Sequence, residues 1–485
     1  MKKRTVAVTI LLSLAFFLME GTSARGQAIS LTDLGTLGGN YSHAFALNDQ
    51  GRVVGASSTP SGGHHAFSWT SGEGMMDLGT LGGDYSEAVA VNGRGAVVGN
   101  SSTNEGPWRA FLWTAEGGMV DLGSLGGGSS AALLINDLGQ VAGTSPNEAG
   151  ADRIFFWTPE GGMIDPGSFG GDFAEPTGMN NSGQIAGWAS DDSWNVRAFR
   201  WTQNEALLDL GTLGGTYSYA LAINDLGHVV GASSTAGNSN HAFFWSPSGR
   251  MVDLGTLGGK SSEAVAVNIL GQVVGRSYTE SGVYHAFFWT AAGGMVDLGT
   301  LGGSYSEARS INDQGQVVGV STTASGEWHA FLWTEREGMM DLGTLGGNFS
   351  AAAAINNRGQ IIGDSRNEGR ETRGILWSLP SLSLTPEDQI KELIETVQSL
   401  IHSGALRKGI GKGLIVELRV VLGKLQREKN RTACWLLDSF GHQIKGLVKA
   451  RNLTLENGEN LLSRVAKIGF CADERKGKHK KCGKE

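Results

Sequence analysis

Residues 297–340 read DLGTLGGSYSEARSINDQGQVVGVSTTASGEWHAFLWTEREGMM, and this stretch decides the fold. Four short runs, at 295–298, 308–312, 316–321 and 329–334, are separated by turn residues. β-Branched and aromatic side chains dominate them, and each has ordinary strand length. Asn312-Asp313-Gln314-Gly315 reads as a short hairpin loop whose glycine takes the left-handed conformation. The Gly-Gly pairs, such as Gly38-Gly39 and Gly302-Gly303, read as tight turns after the first run. No helix follows them, so they do not cradle phosphate.

The same stretch recurs on both sides. Aspartate stands at Asp33, Asp77, Asp121, Asp165, Asp209, Asp253, Asp297 and Asp341, always 44 residues apart. Tryptophan keeps that step from Trp69 through Trp289 to Trp377, and asparagine keeps it from Asn48 to Asn356. Four antiparallel strands per repeat of this length make a propeller blade. The fold class expected is therefore an all-β eight-bladed β-propeller over residues 29–378, built of eight 44-residue four-stranded repeats. An open solenoid would show distinct polar end repeats, and the end repeats here resemble the middle ones. The chain enters at Ile29-Ser30-Leu31 and leaves after Ile375-Leu376-Trp377, with no spare strand to hand. The Trp column and the phenylalanines two residues before it read as core between blades.

Composition agrees with a globular, glycine-punctuated chain: 75 Gly but only 9 Pro in 485 residues exclude collagen and Pro-rich disorder. Residues 29–378 hold 15 basic and 34 acidic side chains, whereas 379–485 hold 20 and 12. An acidic body argues against nucleic-acid binding. At the start, Lys2-Lys3-Arg4, an apolar run over 6–18 and small residues near Ala24 and Ala28 read as a secretory signal peptide over 1–28. The run is short for a membrane span, and no membrane span is expected after cleavage. A secreted, extracellular, monomeric bacterial protein is the expectation.

The run His-Ala-Phe-x-Trp at His65, His241, His285 and His329, with Asp-Leu-Gly-Thr-Leu-Gly-Gly, resembles the HAF-repeat family of probable extracellular proteins. The resemblance covers residues 29–378 and implies secretion and a repeat β-fold; it carries no catalytic residue. The position before Ala-Phe is always His or Arg, including Arg109, Arg153, Arg197 and Arg373. A cation or N–H donor set against a recurring carboxylate (Asp77, Asp253, Asp297) suggests a structural hydrogen bond in every repeat. Arginine does not ligate metals, so no metal site is expected there.

Alternation of connections puts the Asn-x-x-Gly turns on one end of the array and the Gly-Gly-x-Tyr-Ser and longer loops on the other. The loop end carries the variety: Tyr41, Tyr85, Phe173, Tyr217, Tyr305 and Phe349, then Trp108, Trp194, Tyr284 and Trp328. Glu87, Glu175, Glu263 and Glu307 follow the first set. Aromatics amid Ser, Thr and Gly suit stacking on a glycan or gripping a partner protein. Enzyme motifs such as Gly-x-Ser-x-Gly and His-Glu-x-x-His are missing. The function expected is a non-enzymatic binding or surface-interaction module needing no cofactor. The alternative is an extracellular polysaccharide hydrolase or lyase using glutamates at the channel mouth.

Beyond a linker at 379–385 the period becomes helical. Thr385-Pro386-Glu387-Asp388 is a helix start, and Ile390, Leu393, Ile394, Val397 and Leu400 mark one face. Further faces run through Leu414–Leu425, Leu437–Val448 and Leu461–Ile468, giving a small helical bundle over 386–470. The opening Leu-Thr-Pro-Glu-Asp-Gln and the block Thr432-Ala433-Cys434-x-x-Leu437-Asp438-x-Phe440 resemble the FIMAH-type helical domain. All three cysteines lie here; Cys434–Cys471 is the expected disulfide, with Cys482 left on a basic tail at 471–485.

Overall fold

The computed structural model describes residues 29–379 except 105, and residues 386–468 except 403–404, 426–429, 455–456, 459–460, 463 and 466–467. The signal-peptide reading at 1–28, the tail at 471–485, Cys471 and most of the linker lie outside the described residues. The chain separates into two compact units, Met1–Pro380 and Ser381–Glu485.

The first unit is all β. Its strands form four eight-stranded sheets, and each sheet is two four-stranded antiparallel halves. One such half comprises Gly82–Val91, Val97–Thr103, Trp108–Thr114 and Gly118–Asp121. Where the two halves of a sheet meet, a single parallel bridge joins them, as His64 pairs with Tyr85. The expected first run of each repeat is in fact the outermost strand of the preceding half: Gly294–Asp297 pairs with Tyr284–Thr290. The glycine pairs also differ from expectation. Gly302 and Gly303 open the long strand Gly302–Ile311 instead of closing a turn.

Glycine inside the second strand answers a packing demand. A Cβ on Gly99 would stand 1.9 Å from the Glu87 carbonyl oxygen and 2.7 Å from the Phe111 ring. The same collision awaits at Gly55, Gly143, Gly187, Gly231, Gly275, Gly319 and Gly363. Without a side chain there, Phe111 lies fully buried against the strand pair. Each core cluster then straddles a junction: Val54, Ala66 and Leu78 of one half pack on Ala88, Val97, Phe111 and Trp113 of the next.

Three layers of bonds join the ends of the array. The N-terminal strand Ser30–Asp33 pairs antiparallel with Thr372–Ser378, so a strand from the start of the chain completes the last half. This is the spare strand that the sequence did not reveal. Leu34, Ala44, Val53, Phe67 and Trp69 share one core with Ile362 and Leu376. Gly374 N–H donates to Ser42 Oγ at 3.0 Å. First strands of successive halves touch in an unbroken cycle, including Ser42–Leu47 with Gly346–Ile355. The first unit is thus a propeller-like β array.

The second unit packs α1 (Pro386–His402), α2 (Lys408–Leu425) and α3 (Asn430–Lys449) around Ile390, Leu393, Leu418, Leu437 and Phe440. Leu461, Val465 and Ile468 from the expected fourth segment join that core. Cys434 is disulfide-bonded. No helix among the described residues is long and apolar enough to cross a membrane.

Candidate functional site

At the turn end, each recurring asparagine uses both ends of its amide. Asn92 Oδ1 accepts the Arg94 and Ala96 amides, closing its own turn. Its Nδ2 donates to the carbonyl of Asn136 in the next repeat at 3.0 Å. The pattern repeats from Asn48 to Asn92, then through Asn136, Asn180, Asn224, Asn268 and Asn312 to Asn356, and Asn356 donates back to Asn48 at 3.0 Å. These side chains surround one cavity of about 530 Å³. Asp49, Asp137, Asp225 and Asp313 stand one residue further on, in alternate repeats, and each Oδ1 holds a backbone amide from the preceding repeat. The sequence reading took these segments as turns only. The available signal was an asparagine held at one step throughout, since a buried amide must find partners for its N–H groups as well as its oxygen.

A second unread feature is the serine column. Ser86 is fully buried, accepts the Ala66 amide at 2.8 Å and donates to Gly79 O at 2.6 Å. Ser130, Ser218, Ser262, Ser306 and Ser350 do the same at other junctions, and Ser42 does so between the last half and the first. Ala174 takes the serine's place at one junction.

The loop end gathers the expected aromatics. Tyr41 hydrogen-bonds His64, His64 stacks on Tyr85, and Tyr85 meets Trp108 edge-on at 5.1 Å. A second belt runs from Tyr278 to Tyr284 at 3.8 Å, on to Tyr305 and then to Trp328 at 4.9 Å. Trp108 and Trp328 are about two-fifths exposed, 41% and 39%. Tyr217 stands apart from both belts and touches Tyr219, which in turn touches Trp188. Phe173 pairs with Trp194, and Arg366 lies over Phe349.

The four glutamates do not converge. Glu263 and Glu307 are joined by Arg276, at 2.8 and 3.3 Å, and line a cavity of about 260 Å³ with Arg309. Burial pushes the Glu307 carboxyl up, but bonds from Tyr305 and Arg309, with Arg276 nearby, outweigh it and hold the group below its ordinary value. Glu307 is therefore kept as an anion in a charge-balanced cluster. Glu87 accepts only a 3.2 Å bond from Asn100, and Glu175 is exposed in a different repeat. At the equivalent place in the first repeat, His43 bonds Asp364 of the last half at 2.8 Å.

The recurring Asp and His pair between the third and outermost strands, beside the loop end, where each His directly follows the residue that opens its strand. His65 bonds Asp77 at 2.8 Å, His241 bonds Asp253 at 2.9 Å, His285 bonds Asp297 at 2.8 Å and His329 bonds Asp341 at 2.7 Å. Each Asp also accepts the amide of a glycine two residues on, as Gly299 does to Asp297. Arg109 and Arg373 stand at 3.6 and 3.8 Å from Asp121 and Asp33. Trp289 is partly buried against the core and stacks on Phe244. Among the described residues, no group of three or more His, Cys, Asp or Glu side chains is placed to hold a metal ion.

No protein-family model matches the sequence, and no curated protein matches it. Several solved structures resemble it weakly. TolB from Acinetobacter baumannii is 13% identical, with TM-score 0.34, covering 68% of this chain and 81% of that one. The β-propeller domain of the Trilobed protease from Pyrococcus furiosus is 11% identical, with TM-score 0.40 and coverage of 58% and 91%. A puromycin-hydrolyzing peptidase from Mycobacterium tuberculosis is 14% identical, with TM-score 0.43, covering 69% of this chain and 58% of its own. This chain thus spans little more than half of that peptidase. The presence of a peptidase in this group corrects the expectation of a protein without enzymatic activity, and that expectation is withdrawn. No residue role passes between chains at these TM-scores.

Proposed function

We propose that this chain is a secreted eight-bladed β-propeller of the HAF-repeat kind, followed by a FIMAH-like helical unit, and that its loop end recognises an extracellular glycan or protein. The cyclic run of asparagine bonds and the N-terminal strand in the last half support eight blades. The observation that carries the binding reading is the joining of aromatic side chains from successive repeats into two belts, Tyr41–His64–Tyr85–Trp108 and Tyr278–Tyr284–Tyr305–Trp328. A rigid frame that lines up partly exposed rings offers stacking area at little ordering cost. A glycan array and a surface-protein capture assay test this, run beside Tyr85→Ala/Trp108→Ala and Tyr305→Ala/Trp328→Ala. Saturable binding reduced by either pair is the expected result. Binding untouched by both pairs would refute it.

A second reading has its own observation. Glu263 and Glu307 share Arg276 and face one cavity, an arrangement able to hold a polar substrate. Glu307→Gln that abolishes turnover of a bound polysaccharide while sparing its binding would establish catalysis at that cluster.

A further inference from the structure

The loop between the second and third strands of each repeat closes through one left-handed residue. Five repeats place glycine there: Gly62, Gly106, Gly150, Gly282 and Gly326, all with φ between 79° and 101°. The fourth, fifth and eighth repeats place Trp194, Asn238 and Arg370 there, with φ 63°, 58° and 64°. A bulky side chain in this region is strained, because its Cβ crowds the backbone. The turn around Trp194 is over-determined. Asp191 accepts the Ser193 and Asn195 amides at 2.8 and 2.9 Å and the Asn195 side chain at 3.0 Å, while Trp194 N–H donates to Asp191 O. These bonds hold Asp191 below its ordinary carboxylate value, the Asn195 side-chain bond foremost.

The strain contributes nothing to packing, since Trp194 is 67% exposed. Its described ring partner is Phe173, itself 40% exposed, at 5.5 Å and tilted by 45°. Two open ring faces thus meet at a corner. Asp172 precedes Phe173 and Asp192 lies two residues before Trp194; both are exposed, and the Asp192 carboxylate folds over Gly170 at the start of Phe173's strand. A flat sugar ring needs one flat face. A compact cation gains from two tilted π faces and from exposed carboxylates in the same strand and loop.

We propose that the Phe173–Trp194 corner is a receptor for the ammonium group of a lysine side chain presented by a basic polypeptide segment. Charge selects a polypeptide: residues 29–378 carry 34 acidic against 15 basic side chains, so a run of lysines is attracted as a whole. A zwitterionic headgroup gains no such attraction. The site is separate from the two aromatic belts and from any glycan they bind.

The test uses the full chain and a capped penta-lysine peptide, with its fully Nε-acetylated form as the neutral control. Binding is read by calorimetry and by tryptophan fluorescence against the Trp194→Gly protein. That substitution restores the residue used by five other repeats, so its melting temperature should equal or exceed the parent's. Expected is saturable penta-lysine binding, weakened at least tenfold by Trp194→Gly and by acetylation, and partly retained in Trp194→Phe. Asp172→Asn/Asp192→Asn should weaken it several-fold. Equal affinity for the parent and Trp194→Gly, or for the charged and acetylated peptides, would overturn the proposal. So would an oligosaccharide that Trp194→Gly alone fails to bind. Glycan binding at the belts should be unchanged in Trp194→Gly, so failure of one site is readable independently of the other.

Discussion

Replacing Asn356 by Asp asks whether the β array closes. Asn356 Oδ1 accepts the Arg358 and Gln360 amides at 3.0 and 2.9 Å, and an aspartate keeps both bonds. Its Nδ2 donates to Gln360 Oε1 at 2.8 Å and to Asn48 O at 3.0 Å, and aspartate loses both donations. Gln360 can turn its own amide toward the new carboxylate. The Asn48 carbonyl cannot turn, and it is left buried without this donor. It keeps the Gly51 amide at 3.1 Å, so the loss is one of its two bonds, worth about 0.5–1.5 kcal/mol. For a unit of this size that lowers the melting temperature by roughly 1–2 °C. Asn312→Asp is the matched control, because Asn312 makes the same bonds to Gln316 and to Asn356 O, at 2.7 and 3.1 Å. In a closed ring the two substitutions cost the same, within about 0.5 kcal/mol. In an open array Asn48 and Asn356 sit at opposite ends, and only Asn312→Asp loses an inter-repeat bond. Calorimetry on both variants, with amide exchange at residues 48–52, decides between these. A full-sized effect for Asn312→Asp with none for Asn356→Asp would refute closure.

Three further outcomes are expected. Gly319→Ala puts a methyl 2.0 Å from the Glu307 carbonyl oxygen and should cost about 1–3 kcal/mol or more, read as a lowered urea midpoint. Asp297→Ala removes the His285 bond and the Gly299 amide bond and should lower the melting temperature by an amount worth about 1–2 kcal/mol; an unchanged value would remove the structural reading of that pair. The His43–Asp364 pair gives the closing junction a pH dependence. The bond from Asp364 raises the His43 pKa above its usual 6.5 despite burial. Its stabilisation is thus full below about pH 6.5 and is lost as pH rises through the higher folded value. The stability gap between the parent and His43→Gln should be wide at about pH 5.5 and narrow at about pH 8.5. A gap that widens with pH contradicts this.

The strand count, the turns and the aromatic core of each repeat were legible because they recur as residue types at one step. Where the repeat should be cut was not legible. A period is the same wherever it is divided, so nothing in DLGTLGG says that Asp297 ends one half and Gly302 begins the next. The exchange of Ser30–Asp33 into the last half follows from that offset. Ser86 escaped notice for a different reason: a buried serine bridging two backbones and a solvated loop serine have the same letter and the same neighbours. The glutamates looked equivalent by spacing, yet what each meets depends on the residue opposite it in its own repeat and on the one at that place in the preceding repeat. Arg276 bonds Glu263 of its own repeat and Glu307 of the next, Glu87 meets Asn100, and His43 meets Asp364 of the last half.

This contrast suggests how to read function in such an array. Columns that hold one residue, such as Asn48 to Asn356 or Gly55 to Gly363, make the same contact at every junction and are consumed by the frame. A column that varies makes no contact common to all junctions, and its occupants are free to take local roles, as His43 and Asp364 do, or to face a ligand. The column of Gly62 tests the idea most sharply, because its backbone demand stays constant while its residue changes. The conformation there favours glycine in every repeat, so any other residue needs a reason outside the local backbone. Asn238 has one, as asparagine tolerates the left-handed region. Arg370 and Trp194 have no such excuse; Arg370 exposes a charge that water solvates, whereas Trp194 exposes a large ring. Its cost to folding and its exposure therefore point the same way, to contact with something other than this chain.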